Sequence, residues 1–230
     1  MTSEIQAPMI IAIDGPSASG KSTVAREVAR RLGGVYVDSG ALYRAVTWQA
    51  LRQGLDPRDG AMLAAMLAST PWAFQVRNHA VEFSIAGVRP GLDLRGPQVR
   101  EAVSDFAAVP EVREWVCARL REMERHAPLV MEGRDIGTVV FPHAPFKFFL
   151  DADPRERARR RARDLAEQEG QADVDEVHAS LARRDTKDST RRDAPLRIAP
   201  EAKVIDTTAL SVEEVVSLIV DEVRRRARKP

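Results

Sequence analysis

A single cysteine, Cys117, occurs in the 230 residues of the chain, which excludes an intrachain disulfide. Because no second sulfur and no histidine cluster lies near it, we expect an inert, buried or half-buried thiol. Charge of one sign is also scarce, since the formal net charge is only +1. Proteins that bind polyanions over a whole domain usually carry a strong basic excess, so we expect no nucleic acid partner.

Long apolar runs are missing as well. No run approaches the roughly 20 residues that a membrane-spanning helix needs, and the first eight residues do not have the basic and then apolar order of a signal peptide. We therefore expect a cytoplasmic protein without a membrane partner. With 44% hydrophobic residues, the chain can bury one full core and carry a small inserted subdomain.

Short apolar runs recur along the chain, and each ends in an acidic residue. The runs are 9–13 before Asp14, 36–37 before Asp38, 129–131 before Glu132, 146–150 before Asp151 and 204–205 before Asp206. Runs of this length are typical of strands buried on both faces of a parallel sheet. Five such strands with helical patterns between them predict an α/β fold, in which ligands bind at the carboxyl ends of the strands.

Residues 71–90 break this pattern. Apolar and polar residues alternate on both sides of Asn78-His79, which is typical of an antiparallel hairpin. Within an α/β sequence, this hairpin is interpreted as a small insertion that closes over the acceptor side. Near the end of the chain, Ser211 and Glu214 form a capping box before an apolar helical stripe, which predicts a final helix.

A glycine-rich segment directly after the first apolar run matches the pattern G-x-x-x-x-G-K-S/T. The segment, with the next residue included, is Gly15, Pro16, Ser17, Ala18, Ser19, Gly20, Lys21, Ser22 and Thr23. In such a loop, backbone N–H groups and the positive end of the next helix bind phosphates. Lys21 adds a mobile charge, and the Ser22 hydroxyl suits a Mg²⁺ ion that bridges the β- and γ-phosphates. The segment therefore predicts an ATP-binding P-loop.

A P-loop alone does not separate a kinase from a motor or a GTP-driven switch. The guanine-recognition pattern N/T-K-x-D is absent, because the acid in Thr186-Lys187-Asp188 comes one place early. Two basic clusters favour a kinase instead, since lid arginines can stabilise charge on a phosphoryl group in transfer. The clusters are Arg155, Arg157, Arg159, Arg160, Arg161 and Arg163, then Arg183, Arg184, Lys187, Arg191, Arg192 and Arg197. An acidic stretch between them predicts two helices joined by an exposed loop.

Two further segments carry a family resemblance. Residues 38–44 read DSGALYR after the second strand, and residues 133–142 read GRDIGTVVFP after the third. With the hairpin, the stretch from Arg183 to Leu196 and the order of these parts, the chain resembles bacterial cytidylate kinases over nearly its whole length. The resemblance implies a nucleoside monophosphate kinase fold with a core (about 8–40, 127–152 and 200–230), a CMP-binding insertion (about 41–126) and a lid (about 153–199). It also implies a monomer that phosphorylates CMP and dCMP with MgATP.

The resemblance further implies roles for individual residues. Lys21, Arg134, Arg160 and Arg191 are expected to act on the phosphates, with Arg160 approaching the donor from the lid. The CMP site is expected to comprise Ser39, Tyr43, Arg44, Ser104, Arg113, Arg134, Asp135, Arg184, Asp188 and Arg191. Within this site, the resemblance implies that Ser104, Arg113 and Asp135 read the cytosine ring. A carboxylate and a guanidinium also suit the donor and acceptors of cytosine.

Some roles stay open at this point. Glu132 stands where an aspartate is expected at least as often, and it could hold Mg²⁺ through water. Tyr43 could pack on the acceptor nucleotide or simply fill the core. No catalytic histidine is expected, because a phosphate acceptor is already an anion.

Two alternative functions remain open. The chain could be a kinase of UMP or of another metabolite, or it could be a regulatory nucleotide-binding module.

Overall fold

The computed structural model describes residues 9–227, so the outer ends of the expected core, at residues 8 and 228–230, lie outside the described residues. A seven-stranded sheet in the order β3-β4-β2-β5-β1-β6-β7 forms its centre. The strands are β1 (Ile10–Asp14), β2 (Val35–Asp38), β3 (Trp72–Arg77), β4 (Ala80–Ile85), β5 (Leu129–Gly133), β6 (Phe146–Asp151) and β7 (Lys203–Asp206). All pairings except that of β3 with β4 are parallel.

Helices cover both faces of the sheet. They are α1 (Lys21–Leu32), α2 (Ser39–Arg52), α3 (Gly60–Ser69), α4 (Pro97–Phe106), α5 (Pro110–Arg121), α6 (Pro154–Glu169), α7 (Val174–Thr190) and α8 (Val212–Ala227). Two 3₁₀ turns (Gly91–Arg95 and Glu122–His126) and a π-helical turn (Ile136–Val140) complete the described elements. The capping box is confirmed, because Ser211 N donates to Glu214 Oε2 (2.8 Å) and Glu214 N donates to Ser211 Oγ (3.3 Å).

The five predicted parallel strands are confirmed as β2, β5, β1, β6 and β7, but the sheet is larger than five strands. The hairpin forms as predicted around Asn78 and His79, which both have positive φ. It was expected as a separate insertion over the acceptor side, whereas β4 joins the edge of the main sheet. Tyr36 N donates to His79 O (2.8 Å), which gives the outer edge of β2 a backbone partner.

Side chains along β1 point alternately to the two faces of the sheet, and they divide the hydrophobic core into two clusters. Ile10 and Ala12 face one cluster, formed with the helices α2, α3 and α5, while Ile11 and Ile13 face the second, formed with α1 and α8. All four side chains are buried. Strand β1 therefore lies at the centre of the molecule, and the loop that follows it is held by packing on both faces. Within residues 9–227, no helix is long and apolar enough to cross a membrane.

The helices α6 and α7 form a smaller body of their own. Ala158 and Ala162 of α6 pack against Val177 and Leu181 of α7, with Ala18 of the glycine-rich loop partly buried against them. This pair confirms the predicted two helices, and it lies directly on the loop between β1 and α1.

Candidate active site

The glycine-rich loop, residues 15–20, connects the end of β1 to the start of α1. Gly15 has φ 151, and a Cβ there would lie 2.0 Å from the Leu150 carbonyl oxygen, so only glycine fits. Gly20 has φ 89 and forms the N-cap of α1, while Ala18 is also left-handed at φ 60. Such alternation turns successive N–H groups to one side beside a helix N-terminus, which is the geometry of a phosphate-binding loop.

Lys21 lies under this loop and is buried. Its Nζ donates to the Pro16 carbonyl oxygen (2.5 Å) and to Ser19 Oγ (3.3 Å). Burial lowers the pKa of the Lys21 ammonium, and the charge of Arg134 lowers it further. A cation that is disfavoured by its surroundings gains stability from an anionic ligand, so this electrostatic environment suits a phosphate.

Ser22 and Glu132 form a second polar pair beside the loop. Ser22 Oγ donates to Glu132 Oε1 (2.5 Å), and the Tyr36 hydroxyl lies 3.4 Å from the same oxygen. Burial raises the pKa of the Glu132 carboxyl, and so does the charge of Asp38 on the neighbouring strand β2. Among residues 9–227, no group of three or more acidic, cysteine or histidine side chains could hold a metal ion. A cation here would therefore depend on ligands beyond these two side chains.

A buried cluster of charged and aromatic side chains lies at the end of β5. Arg113 NH2 of α5 donates to Asp135 Oδ2, and Arg191 NH2 lies 3.7 Å from the same oxygen. The guanidinium of Arg113 also lies over the Tyr43 ring, 5.6 Å from its centroid. Burial raises the pKa of the Tyr43 hydroxyl well above its usual range, and the charge of Asp135 adds to this. Four predicted CMP-site residues are thus in one place.

Arg134, the residue before Asp135, has different partners. Its Nε donates to Asp188 Oδ2 of α7 (2.9 Å), and its NH2 donates to Ser17 Oγ of the glycine-rich loop (2.6 Å). Burial and the charge of Arg134 lower the pKa of the nearby Arg184 guanidinium to about 10. Arg134 therefore joins the phosphate-binding loop to the predicted CMP site.

Several polar atoms in this region are buried without a hydrogen-bond partner in the described part of the chain. They are Tyr43 Oη, Arg44 Nε, Arg184 Nε and Arg191 NH2. Arg44 is otherwise held by Asp38, whose Oδ2 accepts from Arg44 NH2 (2.8 Å). Buried donors are normally satisfied, so a set of them around one place indicates a polar, anionic ligand.

Two predicted residues are placed less directly. Ser39 begins α2 and is buried, and its Oγ donates to the Glu132 carbonyl oxygen (2.7 Å). Ser104 is half-buried on α4, beside Asp105, whose carboxylate accepts from Lys187 Nζ of α7 (2.7 Å). Both lie on elements that border the cluster, and their roles toward a ligand stay predictions.

Arg160, the predicted lid arginine, is bound to the loop after β7. It donates to Thr207 Oγ1 (3.1 Å), to the Thr207 carbonyl oxygen (2.6 Å) and to the Thr208 carbonyl oxygen (3.2 Å). Thr207 Oγ1 in turn donates to the Ser19 carbonyl oxygen (3.2 Å), so Thr207 links Arg160 to the phosphate-binding loop. Arg157, one helical turn earlier, instead donates directly to the Ser17 carbonyl oxygen (3.1 Å).

Asp14 was identified in the sequence only as the end of a strand, and it was not selected for the site. Its two carboxylate oxygens accept from Ile136 N and Gly137 N, each at 2.8 Å. Burial raises the pKa of this carboxyl to about 6, although the two backbone N–H groups oppose the rise. The signal in the sequence was its place at the end of a buried strand, directly before the glycine-rich loop.

A phosphate-binding loop at the end of a central parallel strand, with a buried lysine and converging arginines, defines a P-loop phosphotransferase of the α/β class. Comparison with known proteins gives the family. The cytidylate kinase family model matches residues 11–225, and the chain belongs to this family.

Individual relatives agree with this result. A cytidylate kinase of Geobacillus kaustophilus is 46% identical over 216 residues, which covers 94% of this chain and 96% of the relative. One of Solibacter usitatus is 43% identical over 223 residues, covering 96% of this chain and 94% of the relative. Among solved structures, an uncharacterized protein from Eubacterium ventriosum superposes with a TM-score of 0.51 at 12% identity, covering 94% of this chain and 98% of that chain. This last likeness concerns the fold alone.

Proposed function

We propose that the chain transfers the γ-phosphoryl group of ATP to CMP or dCMP, which yields ADP and CDP or dCDP. Besides family membership, one observation supports the proposal. Arg134 and Asp135 are consecutive residues, and they contact two different parts of the site. Arg134 binds Ser17 of the phosphate-binding loop, while Asp135 binds Arg113 in the buried cluster. A donor phosphate and an acceptor nucleotide bound at these places would be adjacent, as direct transfer requires.

Recognition of the base follows from the chemistry of the Arg113 and Asp135 side chains. Cytosine offers an exocyclic amine as a donor and ring atoms as acceptors, which a carboxylate and a guanidinium match. Arg191 and Tyr43 complete the polar lining. Among residues 9–227 the Tyr43 hydroxyl has no hydrogen-bond partner, which favours a ligand contact over a purely space-filling role. Uracil presents an acceptor where cytosine presents its amine, so the carboxylate disfavours UMP.

Binding of the acceptor phosphate is assigned to arginines. Arg44, Arg134 and Arg191 are proposed to bind this phosphate, with Arg184 and Asp188 near the sugar. Arg44, Arg184 and Arg191 each have a buried nitrogen without a hydrogen-bond partner in the described residues, and Arg134 donates to Ser17 Oγ of the loop. The acceptor is an anion whose second pKa is about 6, so it attacks the γ-phosphorus without a general base. The arginines neutralise repulsion between the two phosphates and hold them in line.

The oxygen donors of Ser22 and Glu132 fit Mg²⁺, a hard cation that prefers oxygen ligands and keeps several waters. Ser22 would bind the ion directly and Glu132 through water, with phosphate oxygens supplying further ligands. When bound, Mg²⁺ neutralises charge on the β- and γ-phosphates. The Ser22 hydroxyl already points toward Glu132, so both groups face the same side of the loop.

We assign three functional parts to the chain. The core comprises about 8–40, 127–152 and 200–230, the CMP-binding part about 41–126, and the lid about 153–199. Closure of the lid would exclude water and so favour transfer over hydrolysis. Arg160 is proposed to approach the donor nucleotide from the lid. A monomer in the cytoplasm is the remaining part of the proposal.

Release of ADP from ATP and Mg²⁺ tests the proposal when CMP, dCMP, UMP, AMP and GMP are offered singly. We expect strong stimulation by CMP and dCMP, weak stimulation by UMP and almost none by the purines. Stimulation by a purine or a non-nucleotide acceptor alone would leave a kinase but overturn the cytidylate assignment. Slow release that no acceptor stimulates would instead favour a regulatory nucleotide-binding module.

A further inference from the structure

The backbone of Ser17 is bound by the two lid helices. Ser17 N donates to Asp185 Oδ1 of α7 (3.2 Å), and the Ser17 carbonyl oxygen accepts from Arg157 NH1 of α6 (3.1 Å). Arg157 NH1 also donates to Asp185 Oδ2, which closes a ring of three residues. Both main-chain polar groups of one P-loop residue are therefore held by side chains from outside the loop.

This ring is a built feature of the interior. The side chains of Arg157 and Asp185 are 9% and 19% exposed, and Ser17 is buried. Arg157 Nε makes a further bond to the Ala152 carbonyl oxygen (3.1 Å), which fixes the guanidinium plane. Charge-assisted hydrogen bonds of this kind are stronger than neutral ones, and they lose less to solvent when they are buried.

Two neighbouring observations show why Ser17 matters. Ala18 has φ 60, an unfavourable conformation for a residue with a Cβ, so the loop needs external contacts to hold its shape. The Ser17 hydroxyl accepts from Arg134 NH2 (2.6 Å), and Arg134 Nε binds Asp188, one turn along α7 from Asp185. The position of Ser17 thus fixes the arginine that lies between the donor and acceptor sites.

We propose that Arg157 and Asp185 are positioning residues that lock the lid helices onto the P-loop through Ser17 and so fix Arg134 for transfer. We call these two side chains and the Ser17 backbone the lid latch. The inference rests on the proposed function, and it assigns to Arg157 a task that is distinct from that of Arg160. Neither side chain needs to touch the nucleotides, because both act through Ser17.

A double-substitution cycle tests the latch. Asp185→Asn leaves one oxygen where the carboxylate has two, so the NH2 group faces Arg157 when the oxygen accepts from Ser17 N, and it faces Ser17 N when the oxygen accepts from Arg157. With CMP as acceptor, Asp185→Asn and Arg157→Gln should each lower kcat about tenfold, since hydrogen bonds to charged groups are lost. The double variant should be little worse than the poorer single variant, because the ring is already open. The KM for CMP should change by less than about threefold, since neither residue lines the CMP site.

The partition of ATP turnover between hydrolysis and CDP formation provides a second readout. Loss of folding would lower both reactions together and would not change their ratio. In both single variants, the share of ADP that arises from hydrolysis rather than from CDP formation should rise. Asp164→Asn, an exposed acid on α6, is the matched control and should leave kcat and the partition unchanged. Independent, multiplicative losses with an unchanged partition would overturn the proposal. Should Asp185→Asn fail to fold, Arg157→Lys keeps the charge, but its single nitrogen cannot replace both Nε and NH1, so it cannot reach all three acceptors. Full wild-type kcat and partition in Arg157→Lys would equally overturn the latch.

Hydrogen exchange separates failure of the latch from failure of the proposed function, because it needs no acceptor. With Mg²⁺ and a non-hydrolysable ATP analogue, exchange should be slow in both 15–20 and 153–199 of the wild type and the Asp164→Asn control. Both segments should become faster together in Asp185→Asn. If wild type made no CDP, the proposed function would fall while this comparison would still decide the latch; unchanged exchange in the variant would remove the latch alone.

Discussion

Asp135 and Arg113 form an ion pair whose side chains are only 4% and 6% exposed, in the cluster assigned to the acceptor base. Arg191 NH2 lies 3.7 Å from the same carboxylate, and it has no hydrogen-bond partner within the described residues. The oxygens of the Asp135 carboxyl group are hydrogen-bond acceptors, so they can accept from the exocyclic amine of cytosine.

Asp135→Asn should relax the choice of base. The amide keeps the volume of the side chain but weakens acceptance from the cytosine amine and can donate to the uracil oxygen. We expect the ratio of kcat/KM for CMP to that for UMP to fall by about tenfold or more, as for loss of one good base contact. Asp105→Asn, on the exposed carboxylate that pairs with Lys187, is the control. An unchanged ratio in Asp135→Asn would remove this residue from base recognition.

Lys21→Ala should abolish most activity while the fold remains. The pKa of Lys21 is lowered mainly by burial, so its charge is a cost to the folded protein and its removal should not lower the melting temperature much. Turnover should fall by about a hundredfold or more, because a preorganised charge near the transferring group is lost. Circular dichroism and turnover together check this. Wild-type turnover in the variant would contradict the assignment of the loop.

The sequence allowed much of this site to be anticipated, because its signals are local. The glycine-rich loop needs glycine at position 15 to avoid the Leu150 carbonyl, and such a requirement is visible as a motif. The five parallel strands were visible because each is a short apolar run with an acid at its end.

The remaining features depend on contacts between distant residues. The hairpin joins the sheet through Tyr36 and the turn at His79, and no local pattern encodes that pairing. Arg157 and Arg160 lie one turn apart in an arginine-rich helix, so their spacing could not tell which of them contacts the loop. That distinction is set by how α6 docks on the loop between β1 and α1.

Asp14 should make stability depend on pH. Its folded-state pKa, raised by burial to about 6, lies above the ordinary value of 3.8. Its proton therefore stabilises the folded state, fully below pH 3.8, and this contribution is lost as the pH rises through 6. The loss amounts to about 3 kcal/mol at most. Urea denaturation from pH 4 to 8 should show that the difference in unfolding free energy between wild type and Asp14→Asn changes below pH 6 and is constant above it. A difference that is constant over the whole range would contradict the raised pKa.

Glu132→Gln should raise the Mg²⁺ concentration needed for half-maximal turnover. The amide has no charge to orient metal-bound water, although it can still accept from the Ser22 hydroxyl. At saturating ATP and CMP, we expect an increase of about tenfold, with partial recovery of the maximal rate at high Mg²⁺. Glu222→Gln, at a half-buried carboxylate of α8 that pairs with Lys203 and Arg225, serves as the comparison. An unaltered Mg²⁺ dependence in Glu132→Gln would show that this carboxylate has no part in binding the ion.

Transfer of the γ-phosphoryl group can be followed directly with ATP radiolabelled on its γ-phosphate. With Mg²⁺ and CMP or dCMP, the label should appear in CDP or dCDP, and Lys21→Ala should abolish this product. Label that appears only as inorganic phosphate, whichever acceptor is present, would contradict transfer to a cytidine nucleotide.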